Sequence, residues 1–333
     1  MNQPLRIAVI GAGHYAGQYH IPHLAANPLV ELVALCGKDP ADLAAQADRF
    51  GVPTTYDDYQ DLLEKTPLDA VVVSSPHSLH FEHCLASLQR GLHVLVDKPP
   101  VLRAAEWLAL TTLAAQKERI LMPALNRHLD PANLHARHVI QSGALGEVYY
   151  ARSLQVGYPL DRSYADVSLA GGGPLVGRGT HMAALIPWLT GWRPREVTGL
   201  VTPSDRRVDT GGVVSVRAAN GALFQIASVR TGSRNVDEVE VIGTRGVCRV
   251  TRPVGGKGWV VAYQGANDEL IPPNNREPGR TTTDHFVDVV LNREKNRIPP
   301  VDGLRAVAII EAAYESVQTG RTVVLDLPGS EKE

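Results

Sequence analysis

The sequence predicts an α/β protein: an N-terminal doubly wound parallel sheet, followed by an α+β domain with a large, mostly antiparallel open sheet. Three observations carry this expectation. Short apolar runs alternate with helical patterns over residues 1–124, the rhythm of β-α-β units with helices on both faces of a sheet. A glycine-rich turn closes the first of these runs. From residue 125 the runs lengthen and several alternate apolar with polar residues, as half-exposed antiparallel strands do.

In order, the buried-strand patterns fall at 5–10, 29–36, 69–73, 93–96 and 120–124, with helical patterns at 15–26, 40–50, 80–89 and 104–116 between them. Gly91 marks the stop of the 80–89 helix. A helix over 131–141 opens the second part. Strand patterns follow at 148–156, 197–201, 213–218, 223–229, 236–242 and 247–251, and helices return at 284–291 and 304–318. The segments 171–179 and 272–279, rich in glycine and proline, read as loops, as does the polar tail after Leu327. We expect two domains, 1–124 and 125–333.

Composition narrows the function classes. The 333 residues carry a formal net charge of −2 and 5% aromatics, so neither a basic field nor base-stacking platforms point to nucleic acid. No apolar run approaches the roughly 20 residues of a membrane span. Met1 leads almost directly into a strand with no leader-like segment, and Cys36, Cys84 and Cys248 match no metal spacing, so a reduced cytoplasmic protein is expected. His77, His80 and His83 are spaced by three, as are His135 and His138, but with no converging carboxylate or thiolate set; no metal is expected.

Gly11-Ala12-Gly13-His14-Tyr15-Ala16 follows the first strand as G-x-G-x-x-A, the dinucleotide-binding turn of a Rossmann domain. Gly11 permits the turn, Gly13 lets a pyrophosphate approach the backbone, and Ala16 allows close helix–strand packing. The second strand ends in Cys36-Gly37-Lys38, where an NAD site usually carries a carboxylate for the ribose 2′-hydroxyl. Gly37 and Lys38 suit a 2′-phosphate, so NADP(H) is favoured, with NAD(H) possible. Asp39 is one place late and reads as the start of the next helix. The strand at 93–96 runs into Asp97-Lys98-Pro99, which puts Lys98 beyond the carboxyl end of a buried strand, where ligands of open α/β sheets lie. A partly desolvated lysine beside a cationic ring can serve as a proton acceptor.

The chain resembles the glucose–fructose oxidoreductase/inositol dehydrogenase family (Gfo/Idh/MocA) over nearly its whole length. The residues that carry the resemblance are Gly11-Ala12-Gly13 with His20, Ser75-Pro76-His77-Ser78-Leu79-His80, Gly91 through Pro99, Asn126-Arg127, Gly143 through Val148, and Ala313-Tyr314-Glu315-Ser316 with Gly320. The resemblance implies Lys98 beside nicotinamide and substrate, with Ser74, Ser75, Pro76, His80, Asp97 and Asn126 lining the cofactor cleft. It also implies a homodimer or homotetramer acting on a sugar or polyol, with the second domain binding substrate and building the oligomer.

One departure stands out. Where relatives carry G-G-G-x-L-x-D-x-G-x-H, this chain has Gly177 in place of the aspartate, keeps His181, and adds Arg178; a second frequent aspartate is Ala184. The expected catalytic pair is Lys98 and His181, with Arg178 a substrate contact and a carboxylate supplied by Asp161 or Asp166. Three readings compete: an active NAD(P)-dependent dehydrogenase, a non-catalytic NADP-binding regulator, and an NAD-dependent glycosidase. The first is carried forward because Lys98 and His181 both survive.

Overall fold

The computed structural model describes residues 3–157, 167–203, 208–230, 235–252, 260–265 and 280–328. The chain forms two compact units, residues 1–125 with 280–300, and residues 126–279 with 301–333.

The first unit holds a six-stranded parallel sheet, β1 (Leu5–Ile10), β2 (Val30–Cys36), β3 (Thr54–Tyr56), β4 (Ala70–Val73), β5 (His93–Val96) and β6 (Leu121–Pro123), in the order β3-β2-β1-β4-β5-β6. The order reverses between β2–β1 and β4, so the carboxyl ends of β1 and β4 flank the switch point where such sheets bind ligands. Ile7 to Ile10, all of β4 and Val94 to Val96 are buried, as strands covered on both faces must be. Helices α1 (His14–Tyr19), α2 (Ile21–Ala26), α3 (Pro40–Phe50), α4 (Tyr59–Lys65), α5 (His80–Gln89) and α6 (Ala104–Gln116) connect the strands. Asp39 caps α3, accepting from the amides of Ala41 and Asp42, and Gly51 ends it in the left-handed region at φ 65°.

The single helix expected at 15–26 is broken at His20, because Pro22 has no N–H to continue the ladder. The sequence reading missed β3 and α4. The first is a three-residue, mostly exposed edge strand; the second is a short helix whose main signal is its Asp58 cap on the Gln60 amide. The helix Thr282–Val290 belongs to this unit, and the indole of Trp107 in α6 donates to the Pro300 carbonyl at 2.7 Å.

The second unit holds an eight-stranded sheet, β7 (Val148–Val156), β8 (Pro194–Thr202), β9 (Gly211–Ala218), β10 (Leu223–Val229), β11 (Val236–Gly243), β12 (Gly246–Thr251), β13 (Val260–Gly265) and β14 (Val323–Val324), ordered β13-β12-β11-β7-β10-β9-β8-β14. Every pairing is antiparallel except β7 with β10. Helices α7 (Pro131–Gln141), α8 (Val167–Ala170) and α9 (Thr180–Thr190) and the helix Pro300–Thr319 complete it. The last packs so tightly on β8 that a Cβ at Gly199 would stand 2.4 Å from the Ala313 carbonyl. The opposite sheet face is open: Leu200 is 72% and Val213 41% exposed, and they pair in register with each other, with Ala227 and with Leu154 across four strands.

The region read as a loop at 171–179 ends in a π-type turn, Leu175–Gly179, which runs directly into α9. Helix α9 went unread because it is buried almost all round, which erases the helical period of apolar residues. Asp161, Asp166, the 272–279 segment and the tail from 329 lie outside the described residues.

Candidate active site

The glycine turn of the first unit is built to receive an anion. Gly11 sits at φ 95°, and a Cβ there would lie 2.3 Å from the Ser75 amide nitrogen, so only glycine fits. The amides of Gly11 and Ala12 both donate to the Cys36 carbonyl at 2.9 Å, which ties the turn to the end of β2. The first bond of α1 runs from Gly17 N to Gly13 O, leaving the amides of His14, Tyr15 and Ala16 to open the helix without intrahelical acceptors. A Cβ at Gly13 would meet nothing within 4 Å, so its α-carbon faces open space, while Ala16 is buried. These features fit a dinucleotide pyrophosphate. His14 is exposed, its Nε2 2.8 Å from the Gln18 amide nitrogen. Lys38 is exposed at the end of β2, and a Cβ at Gly37 would make only ordinary contacts, 3.6 Å or more away. Packing therefore does not require glycine at 37.

Lys98 emerges half-buried after β5, its Nζ 5.9 Å from the centre of the Tyr15 ring. The residues around it are locked by buried hydrogen bonds. Asp97 Oδ2 accepts from the Ser74 hydroxyl at 2.7 Å and lies 3.4 Å from His20 Nε2; His20 Nδ1 in turn lies 2.9 Å from the Thr283 hydroxyl. Burial raises the Asp97 carboxyl, but His20, Lys98 and the Ser74 hydroxyl outweigh it and hold it at about 2, so it is a carboxylate. Its Oδ1 is buried with no hydrogen-bond partner. His80 bridges the two strand-end loops, Nδ1 2.8 Å from the Pro99 carbonyl and Nε2 2.7 Å from the Ser75 carbonyl, and burial lowers its affinity for a proton. The Ser75 hydroxyl is 2.9 Å from His83 Nδ1, and burial takes His83 down to about 4. Pro76 leads into a short 3-10 turn, His77–Leu79. Thus Gly11, Ser74, Ser75, Pro76, His80, Asp97 and Lys98 gather at the carboxyl ends of β1, β4 and β5.

In the second unit, Asn126 opens a 3-10 turn, Asn126–Leu129. The glycine run 171–173 is clamped by Asp209 and Tyr314: Asp209 Oδ1 accepts from Gly173 N at 3.0 Å and from the Tyr314 hydroxyl at 2.5 Å. A Cβ at Gly173 would stand 2.1 Å from the Asp209 carbonyl oxygen. Burial raises the Asp209 carboxyl, against the pull of the Tyr314 and Gly173 donors. Gly177 is buried in the π-type turn and His181 is half-buried one residue into α9. The wider turn, in which Thr180 N donates to Leu175 O, joins α9 directly, so Gly177 and His181 lie on either side of that junction. Arg178 is half-buried. Its Nη2 lies 3.5 Å from Asp237, which also accepts from Arg127 at 2.6 Å and from Gln155 at 3.2 Å.

Two family profiles match the chain. The one described as an oxidoreductase family with an NAD-binding Rossmann fold covers residues 5–125, and the Gfo/Idh/MocA C-terminal domain covers 133–249. This chain belongs to the Gfo/Idh/MocA family. Among its relatives, the D-glucoside 3-dehydrogenase of Escherichia coli (strain K12) is 31% identical over 194 residues, 57% of this chain and 55% of that protein. The D-xylose 1-dehydrogenase (NADP(+)) 2 of Haloferax volcanii is 26% identical over 309 residues, 89% of this chain and 92% of that protein. The crystal structure of GenD2 from gentamicin A biosynthesis, in complex with NAD, superposes with a TM-score of 0.84 at 27% identity, covering 98% of both chains. Membership places the chain in an oxidoreductase family whose N-terminal domain is an NAD-binding Rossmann fold. No helix among the described residues is long and apolar enough to cross a membrane.

Several residues that shape this Gfo/Idh/MocA chain were missed in the sequence. Asp237 carried a signal: it occupies an inward position of β11, in phase with Val239 and Val241, where a charge must find partners. Thr283 and Asp209 carried none, since only the fold brings them to His20 and to the glycine run.

Proposed function

We propose that the protein interconverts a secondary alcohol and a ketone on a sugar or cyclitol, with NADP(H) preferred to NAD(H). The observation that carries this reading is Lys98 at the carboxyl edge of the parallel sheet, anchored through buried Asp97 and adjoining an open glycine cradle. A nicotinamide dinucleotide bound there supplies the hydride acceptor or donor. The amides opening α1 and the Gly13 backbone hold its pyrophosphate, Ser74, Ser75, Pro76 and His80 line its path, and Lys38 meets a 2′-phosphate that the absent carboxylate at 37 would have repelled. Lys98, as the neutral amine, receives the hydroxyl proton on Nζ when the alcohol is oxidised and becomes the ammonium; on reduction the ammonium returns it. In the second unit, His181 hydrogen-bonds substrate hydroxyls, and Arg178, steadied by Asp237, contacts substrate in place of the carboxylate missing at 177. Asn126 contributes to cofactor binding.

The names of the relatives support the substrate class: a glucoside and a xylose dehydrogenase are among them. A second copy covering the open sheet face, with its Leu200–Val213–Ala227–Leu154 row, makes the protein a homo-oligomer. The deciding experiment is a screen of aldoses, ketoses, inositols and inosones with each cofactor, read by nicotinamide absorbance. Turnover of at least one, faster with NADP(H), is the expected result. Tight cofactor binding without turnover on any would favour the regulator, and release of free sugar without net cofactor change the glycosidase.

A further inference from the structure

Among the described residues of the first unit, only two large apolar side chains are exposed. Tyr15 is 41% and Tyr19 53% exposed, while the other exposed large apolar side chains belong to the second unit. The two lie four residues apart on α1 and so share a face, with ring centroids 4.6 Å apart and planes tilted by 33°. Lys98 Nζ stands 5.9 Å from the Tyr15 centroid, and the His20 ring meets Tyr15 edge-on at 6.0 Å. Lys98 thus neighbours Tyr15, and Tyr15 neighbours the more exposed Tyr19, so an aromatic surface adjoins the lysine.

Adjoining exposed aromatics on an otherwise well-covered unit mark a place where something docks. The occupant must offer a flat apolar face and a polar rim, because each tyrosine presents a ring face and a hydroxyl edge. A pyranose ring does this: its C–H bonds can gather on one face while its hydroxyls point outward. A compact polar ion or an aliphatic chain matches only half of that surface.

We propose that Tyr15 and Tyr19 are a stacking platform for a second sugar ring, so that the preferred substrate is a glycoside whose reacting ring lies at Lys98 and whose outer ring lies over Tyr19. This rests on the sugar reading above and narrows it from free monosaccharides and cyclitols to glycosides.

The test is calorimetric titration of the full-length protein saturated with NADPH, which holds the cofactor reduced so that alcohol substrates bind without turnover. The probes are methyl β-glucoside and methyl β-cellobioside. The wild type should bind the two-ring probe about tenfold more tightly, the effect of one good aromatic stacking contact. Tyr19→Ala should abolish that advantage and Tyr19→Phe should keep it. An equal Kd for the two probes in the wild type, or an advantage that survives Tyr19→Ala, overturns the proposal. So does a loss of NADPH affinity in Tyr19→Ala as large as its loss of disaccharide affinity, which would assign the platform to the cofactor. A change in the variant's solution mass would assign it to a second copy and overturn the proposal too. If the platform fails while the wild type still reduces NADP+ with a monosaccharide, only the platform is wrong. If no sugar reduces the cofactor, the dehydrogenase reading fails on its own.

Discussion

Asp97→Asn isolates the charge buried beneath Lys98. The carboxyl's ordinary value of 3.8 falls to about 2 in the folded chain, held by His20, Lys98 and the Ser74 hydroxyl against the opposing effect of burial. At ~1.4 kcal/mol per pKa unit, this corresponds to about 2 kcal/mol of folding free energy. Asp97 is 6% exposed, so little is lost to solvent screening. The folded value lies below the unfolded one. The contribution is therefore complete above the unfolded value of 3.8 and is lost as pH falls through the folded value of about 2. Urea unfolding should be read on Trp107, the one tryptophan of the first unit, in a background with phenylalanine at the other tryptophans. At neutral pH the variant should lose about 2 kcal/mol, and its gap from wild type should narrow in acid below about pH 4. A neutral-pH gap under about 0.5 kcal/mol, or one that widens in acid, would refute the assignment of this stabilisation to the carboxylate charge.

Other consequences follow from neighbouring residues. Lys98→Ala should leave NADPH affinity, measured by fluorescence titration, nearly unchanged but lower kcat by at least about 10². The double variant Gly37→Asp with Lys38→Ala should reverse cofactor preference, read as the ratio of kcat/KM for NAD+ and NADP+, because a Cβ at 37 meets nothing closer than 3.6 Å. His83, lowered by burial from 6.5 to about 4, stays neutral in the folded chain while the unfolded imidazole takes up a proton. The first unit should therefore lose stability between about pH 6.5 and pH 4, by up to about 3 kcal/mol from this group, and His83→Gln should flatten that part of the urea-midpoint profile.

Much of the first unit was legible because its signals are local. Apolar runs buried on both faces, a glycine turn after β1, and Asp39 as a cap are each decided within a few residues. Lys98 was legible for the same reason: the apolar run Val94–Val96 breaking into Asp97-Lys98-Pro99 is visible in the string. What was not legible depends on distance along the chain. Thr283 reaches His20 across 263 positions and Tyr314 reaches Asp209 across 105. No periodicity records such meetings. Helix α9 failed for the opposite reason, since burial on nearly every side left no polar stripe to count. The π-type turn before it is invisible too, because a change from four- to five-residue bonding alters no composition.

The return of residues 280–300 to the first unit bears on how this protein could be cut or recombined. A fragment ending at Leu125 would keep every strand of the parallel sheet yet lack Thr283, the partner of His20, and Pro300, whose carbonyl receives the Trp107 indole. Expressed alone, that fragment would have an exposed seam along α2, α6 and β5, with the Trp107 indole N–H and His20 Nδ1 each missing its partner. A chimera that exchanges cofactor domains between relatives therefore has to transplant two separate stretches of chain, 1–125 and 280–300, which alternate along the sequence with the two stretches of the second unit, 126–279 and 301–333.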